Sequence, residues 1–370
     1  MFSHWTKLTL KQKVFLAAWG LALVTVGAVT ESLLVNKEET NLRISNLKHR
    51  DRIDPNATES GRTEPERTPP AGHENDVPVE VKTGVYVDRV ASLSVRDSVW
   101  TADFYIWFNW TDERIRPGDS FHVVHGEILS RNKLAERTNG GQRYALYRVV
   151  ARITKPFDTS RFPRDDHLLT VTIEDSGLQS YQMRYVADAA NCGISSRVTV
   201  AGYSIWRTSS VVKPHSYRTS RGDPDLPSDY RATFSQFIYA MWLVRPNWGL
   251  YFRMFLTLFA ALLIAMIGYF TSPTHRMGLA IGSFFGAVAN TYITSTIVPE
   301  TGIATLADVI NGIGVATITA VLFQTIISQY LHDKRKDEAF SRAFDDVTMV
   351  LIVVLVWLNV SVPMAASLQT

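Results

Sequence analysis

A single cysteine, Cys192, stands in the 370-residue sequence. That scarcity excludes an internal disulfide and a cysteine-based zinc cage in any compartment. A lone thiol in a loop-like stretch reads as inert rather than nucleophilic. Charge of one sign is scarce too: the net charge is +3 with histidine neutral. No Lys/Arg block is long enough for a polyanion footprint, which argues against nucleic acid as a partner. Motifs of catalysis are also missing. The chain has no H-E-x-x-H, no G-x-S-x-G, no phosphate loop and no metal-ligand cluster, so neither an enzyme nor a cofactor is expected.

What is present is apolar sequence gathered into runs, which the average apolar content of 46% conceals. Val14 to Val35 is apolar through its centre and follows Lys7, Lys11 and Lys13, a flank that holds an amino terminus in the cytoplasm. The run is long for a signal core and no A-x-A box closes it. It therefore reads as an uncleaved anchor, the alternative being a cleaved export signal. The chain then turns polar as far as Glu80, with Pro55, Pro65, Pro69 and Pro70 and few aromatics, a linker with room for helix at its start.

From Val81 to about Val244, short runs of alternating polarity are rich in Val, Ile, Tyr, Phe and Trp. Strands are expected at Val81 to Val87, Thr101 to Trp110, Arg143 to Ile153, Leu168 to Glu174, Arg197 to Trp206 and Thr233 to Trp242. Asn139-Gly140-Gly141 and Asp223-Pro224 mark turns. With no helical pattern between the strands, an antiparallel β-sandwich is predicted.

After Arg245 four runs are each long enough to cross about 30 Å of hydrocarbon as helix: Trp248 to Phe270, Met277 to Val298, Ile303 to Leu331 and Val347 to Met364. His275 and Arg276 lie between the first two, and Lys334, Arg335, Lys336 and Arg342 between the last two. The middle turn carries Glu300 and Asp308 and no Lys or Arg. Basic residues thus mark alternate loops, which puts the amino terminus inside and the β domain and carboxyl terminus outside. The expected organisation is an anchor over 1–35, a linker over 36–80, an extracytoplasmic β-sandwich over 81–245 and a four-helix transmembrane bundle over 246–370.

Motifs inside this frame carry a resemblance. Val81-Lys82-Thr83-Gly84-Val85-Tyr86-Val87 is followed by Trp110-Thr111-Asp112-Glu113-Arg114 and then by Phe162-Pro163-Arg164-Asp165. In that order they resemble the first strand, the W-x-D-x-R strand end and the F-P-x-D turn of pentameric ligand-gated ion channels, the Cys-loop receptor superfamily. The likeness continues through Arg245, Pro273-Thr274-His275-Arg276 and Val298-Pro299-Glu300-Thr301, and covers nearly everything from residue 80 onward. The bridging cysteines of the animal receptors are absent, so the match is to the bacterial branch. Taken singly, the W-x-D-x-R piece also fits a buried aromatic beside a turn-capping carboxylate, and F-P-x-D an ordinary proline turn.

The resemblance implies a homopentamer in the cell inner membrane, its β domain periplasmic or extracellular, opened by a small-molecule or proton agonist and passing ions among membrane lipid. It implies gating contacts at Phe162, Pro163, Asp165, Arg245 and Pro299, with Asp165 pairing Arg245, and Asp166 and His167 adding titratable groups. It implies a ligand site under a late hairpin, here Lys213 to Tyr230, with Tyr217 and Tyr230 on it and Tyr203 and Trp206 ahead of it. Such aromatics can cage an ammonium, or simply fill a sandwich core. The second span would line the pore through Thr274, Gly278, Gly282, Phe285, Ala289 and Tyr292, with Thr274, His275 and Arg276 setting selectivity and a weak lean to anions. Helical spacing leaves a second register open, because the most polar stripe, Ser283, Asn290 and Thr294, lies about one residue around. Gly278, Gly282 and Gly286 also form a small-xxx-small series that favours tight helix packing, which keeps a non-conducting sensor or scaffold as the rival function.

Overall fold

A computed structural model describes residues 5–57, 69–70, 72–73, 75–224, 226–227, 229–246, 248–298, 302–350 and 353. The chain divides into two units: Met1–Ile44, Thr159–Asp165 and Asn247–Thr370 form one, and Ser45–Asp158 with Asp166–Pro246 form the other.

In the β unit the strands are β1 (Val79–Ser94), β2 (Val99–Trp110), β3 (Phe121–Val123), β4 (Gly126–Asn139), β5 (Gln142–Thr154), β6 (Asp166–Asp175), β7 (Met183–Ala187), β8 (Gly193–Ile194), β9 (Ser204–Ser216) and β10 (Thr233–Val244). One sheet runs β4-β5-β2-β1-β7, with β8 also on β1, and the other β3-β6-β10-β9. The two share one core. β2 shows why: Trp100, Ala102, Phe104, Ile106, Phe108 and Trp110 alternate inward at the period of a strand. From the second sheet Phe237, Tyr239, Met241 and Leu243 of β10 enter the same cluster. Pairing is antiparallel except where β7 and β8 meet β1 in parallel, two pairings the alternating pattern did not reveal.

Two differences from the expected strands have local causes. β4 was not read from sequence because Arg131, Lys133, Glu136 and Arg137 make it an exposed, charged edge, as edges that resist further pairing tend to be. The turn that joins it to β5 was legible: Gly140 and Gly141 both take positive φ, 55° and 83°, as a two-residue hairpin turn requires. The strand expected from Arg197 begins only at Ser204. The residues before it turn at Gly202, φ 78°, and reach the core through Val198 and Val200.

β10 is buried on both faces because its second face is also covered. There Ala240 and Trp242 meet Leu168 of β6 and Ile53, the last residue of helix α1 (Leu10–Ile53). This helix runs well past the apolar residues that end at Val35, so the segment expected as polar linker starts as helix and, from Ser45 on, packs within the β unit.

The helical unit contains α3 (Gly249–Ile267, extended by a 3₁₀ turn to Phe270), α4 (Pro273–Ile297) and α5 (Leu306–Asp333); α2 (Pro117–Ser120) is a single turn in the β unit. Pro273 starts α4 at a position where its missing N–H is no loss. Thr305 and Asp308 close a capping box at the start of α5. Among the described residues α1 and these three helices are long and apolar enough to cross a membrane. Residues 338–350 and Val353 are helical. Helix thus begins before the expected start of the fourth span at Val347, shortening the loop before it, and most of that expected span lies outside the described residues.

Inside this unit α1 pairs with residues 338–350. Gln12 donates to Asp337 (2.6 Å), Phe15 meets Phe340 with ring centroids 6.1 Å apart, and Trp19 meets Phe344 at 5.9 Å and donates to Thr348 (3.3 Å). Both numberings rise together, so the two helices are parallel and begin at the same end.

Candidate functional site

The six positions expected to line a pore share one face of α4. At 100° per residue they fall within about 80° of arc, and Thr274, Gly278, Gly282, Phe285, Ala289 and Tyr292 are all exposed, Phe285 by 67% and Tyr292 by 72%. The opposite face, Arg276, Ala280, Ser283, Ala287, Asn290 and Thr294, is buried. The polar stripe that left the register open is therefore consumed within the unit. Asn290 Nδ2 donates to Asn311 Oδ1 of α5 (2.9 Å).

The glycine series divides as well. A Cβ on Gly286 would stand 3.3 Å from Ala261 Cβ of α3, whereas one on Gly278 or Gly282 would meet nothing within 4 Å. Only Gly286 serves packing inside the chain. A glycine that sequence reading passed over is tighter: a Cβ on Gly314 of α5 would come 2.5 Å from Leu258 Cδ1.

Arg276 is turned away from that exposed face. Its Nη2 donates to Asp345 Oδ2 (2.8 Å), its Nε to the Gly268 carbonyl (3.2 Å) and its Nη1 to Gln324 Oε1 (3.4 Å), while the guanidinium lies 4.5 Å from the Tyr269 ring centroid. Tyr269 Oη donates to Gln324 (3.1 Å), and the Gln324 amide donates to Asp345. A charge neutralised inside a bundle is the form in which membrane proteins tolerate one. Of the three residues expected to set selectivity, Thr274 and His275 are exposed and Arg276 is not.

The F-P-x-D turn belongs to the helical unit by its contacts. Phe162, 4% exposed, sits among Tyr251, Phe255, Leu258 and Ile310. The carbonyls of Ser160 and Phe162 accept from the Leu306 and Ala307 N–H groups (2.8 and 3.0 Å), satisfying donors that the first turn of α5 leaves open. Arg164 stacks on Trp248 at 4.6 Å. Asp165, 1% exposed, lies in this turn. Arg245 belongs to the β unit, where it donates to Tyr203 Oη (2.6 Å) and stacks on that ring at 4.0 Å. Pro299 lies outside the described residues.

Asp166, expected to add a titratable group, is buried. It accepts from Trp242 Nε1 (3.2 Å) and from Ser45 Oγ (3.4 Å) of α1, and His49 Nδ1 lies 3.0 Å away without hydrogen-bond alignment. His167 packs between Phe157 and Tyr203. W-x-D-x-R is a self-contained turn: buried Trp110 donates to the Ile115 carbonyl (3.1 Å), and Arg114 grips Asp112 with its side chain and its backbone N–H. Those bonds hold the Asp112 carboxyl down at about 2.

The four aromatics expected to form a ligand site do not converge. Tyr203 stacks under Arg245, and Trp206 meets Trp242 edge to face, with centroids 4.9 Å apart, on the outer face of its sheet. Tyr217 and Tyr230 lie beyond the other end of β9, about 35 Å further along an extended strand. There two residues that sequence reading missed receive them. Tyr217 Oη donates to Glu174 (2.7 Å) and Tyr230 Oη to Gln179 (3.0 Å). Glu174 is fully buried and also accepts from the Gln236 amide (2.7 Å), with His122 Nε2 at 3.8 Å. Tyr217 also borders a groove of about 540 Å³ lined by His122, His125, Glu127 and Arg152. The available signal was polar residues, Glu174 and Gln236, in otherwise apolar strands.

No protein-family model matches this chain, and none of the curated proteins compared with it is significantly similar.

Proposed function

We propose that the chain is one subunit of a homopentameric, ligand-gated ion channel of the inner membrane, in which the β unit receives a signal and α4 lines the ion path. The observation that carries this reading is the division of α4. Its hydroxyl and amide stripe is spent inside the subunit, and its outward face presents threonine, glycine and alanine with two large rings. Small and hydroxylic residues suit water better than lipid, and α4 is the least hydrophobic of the four candidate spans. Phe285 then supplies the apolar ring that gates by dewetting.

Selectivity is weak in this proposal. No acidic residue stands at the start of α4, and Arg276, the ground for a lean to anions, is paired to Asp345. The parallel run of α1 and residues 338–350 supports a cytoplasmic amino terminus, since both segments begin beside lysines and arginines. Single-channel recording from purified protein in bilayers, with particle images to count subunits, tests the reading. Discrete openings from five-fold particles are expected.

The rival, a non-conducting sensor or scaffold of the same build, is favoured by one observation. Gly278 and Gly282 are open on the exposed face of α4, where they would let neighbouring helices approach closely enough to shut the axis. Five-fold particles that never conduct would select it.

A further inference from the structure

The carboxyl end of α1 docks within the β unit at a particular set of places. Apart from α1 itself, the chain leaves or enters that unit at Asp158, Asp166 and Pro246, and the first two flank the segment with the F-P-x-D turn. Residues from Ser45 to Ile53 reach the β-unit side of each crossing. Lys48 Nζ stands 3.5 Å from Asp158 Oδ2. Ser45 Oγ donates to Asp166 (3.4 Å), and His49 Nδ1 stands 3.0 Å from Asp166 Oδ2. The His49 ring meets Trp242, near the end of β10, edge to face with centroids 4.9 Å apart, and Ile53 packs with Leu168, Ala240 and Trp242. Ser45, His49 and Ile53 recur every fourth residue, so one face of the helix makes these contacts.

Asp166 is where the contacts converge. It is the first residue of β6, it is buried, and it accepts from Ser45 of α1 and from Trp242 of β10. One carboxylate thereby ties the helix to both strands that continue into the other unit, and removing a donor from a buried acceptor is costly. Lys48 adds little, because its ion pair is exposed. The end of α1 is itself fixed: Lys213 Nζ of β9 donates to the Asp51 carbonyl and to that of Ala57 (2.8 Å), filling acceptors that a helix end leaves open. No glycine or proline interrupts residues 28–53, so the docked stretch has no built-in kink.

We propose that Ser45 and His49 of α1 are positioning residues for gating, acting through Asp166 on the F-P-x-D turn that precedes it. This rests on the reading of the chain as a channel. Asp165 and Asp166 share a peptide bond, so whatever holds the Asp166 backbone sets where the turn ends. The α1 helix lies ahead of the residues that carry the family resemblance, and that resemblance does not account for it.

The test compares the full chain with the double variant Ser45→Ala/His49→Leu, by recording in bilayers and, separately, by hydrogen exchange in lipid nanodiscs. Open probability should change by about fivefold or more, with single-channel conductance unchanged because the exposed face of α4 is untouched. Exchange of the Phe162 and Arg164 amides, which are bonded within the turn, should quicken by about the same factor. His49→Gln keeps a side-chain donor for Asp166 and should stay near the unaltered protein in both readouts. Gly84→Ala loosens the β unit elsewhere and should move neither, whereas a merely structural role for the docking would make it act like the double variant. An unchanged far-ultraviolet circular dichroism spectrum shows that the variants fold, and His49→Leu alone is read if the pair does not. Open probability and turn exchange both unmoved in a folded variant, or moved as far by Gly84→Ala, overturn the proposal. Turn exchange that follows Ser45 and His49 in a protein that passes no current keeps their hold on the turn and removes the channel, whereas current with neither readout moved does the reverse.

Discussion

Arg276 and Asp345, 69 residues apart in sequence, form an ion pair inside the helical unit with Nη2 and Oδ2 2.8 Å apart. Arg276 is 1% exposed, so removing either partner leaves a charge stranded among helices. Arg276→Met and Asp345→Leu should each lower stability by about 3–5 kcal/mol, and the double replacement should recover most of that loss. Thermal unfolding of the purified variants measures it. Additive losses would mean that the two charges do not depend on each other.

Gly84 faces Trp107 across β1 and β2, and a Cβ there would come 2.2 Å from Trp107 Cζ2. Trp107 is held in place, since its Nε1 donates to Asp188 (3.0 Å). Gly84→Ala should therefore destabilise the β unit by about 1–3 kcal/mol through overpacking. Combining it with Trp107→Leu should cost less than the two single losses added together. A chemical denaturation series reads both values.

Lys155 is half-buried as a residue, but its amine donates to the Leu168 carbonyl, and its pKa is pushed down to about 7 by burial, with Arg52 adding to the effect. The unfolded side chain titrates near 10.5. Between those values the unfolded state binds the extra proton, so the lysine's contribution to stability rises with pH across the window and is least below it. The slope should approach about 1.4 kcal/mol per pH unit, and Lys155→Met should remove it. Unfolding of both proteins from about pH 7.5 to 9.5 gives the difference in slope; identical slopes would show that the amine is not buried as described.

Gln12 and Asp337 are hydrogen-bonded, so the starts of α1 and of residues 338–350 lie at one end of the helical unit. Cysteines placed at Lys11 and at Lys336, in a Cys192→Ser background, should give the same answer to an impermeant thiol reagent, protection from outside in intact cells. Labelling of either would reverse the proposed orientation.

Legibility in the sequence followed how local the determinants were. Period-two alternation gave β2, and paired glycines gave the turn at Gly140-Gly141, because a strand face and a positive φ are set by neighbouring residues. β4 stayed hidden because an edge strand need not bury anything, and its charges imitate a loop. The far end of α1 was read as linker because its charged residues obscure the few, Ser45, His49 and Ile53, that dock on the β unit. In the candidate site the family resemblance named the residues exposed on α4, whereas helical spacing pointed to the stripe of Ser283, Asn290 and Thr294 that is buried, and the fate of Arg276 was not legible from either. Arginine at a helix start reads alike whether it faces water or a distant aspartate. Tyr203 and Trp206 sat near Tyr217 and Tyr230 in sequence, yet strand β9 carries them to opposite ends.

The central claim, that the exposed face of α4 lines an ion path, is tested most directly by modifying that face during recording. In a Cys192→Ser background, bilayer currents from Phe285→Cys should fall when a charged methanethiosulfonate is added, and those from Ser283→Cys, on the buried face, should not. Block at Ser283→Cys with Phe285→Cys untouched, or no current at all from folded, five-fold particles, would contradict it.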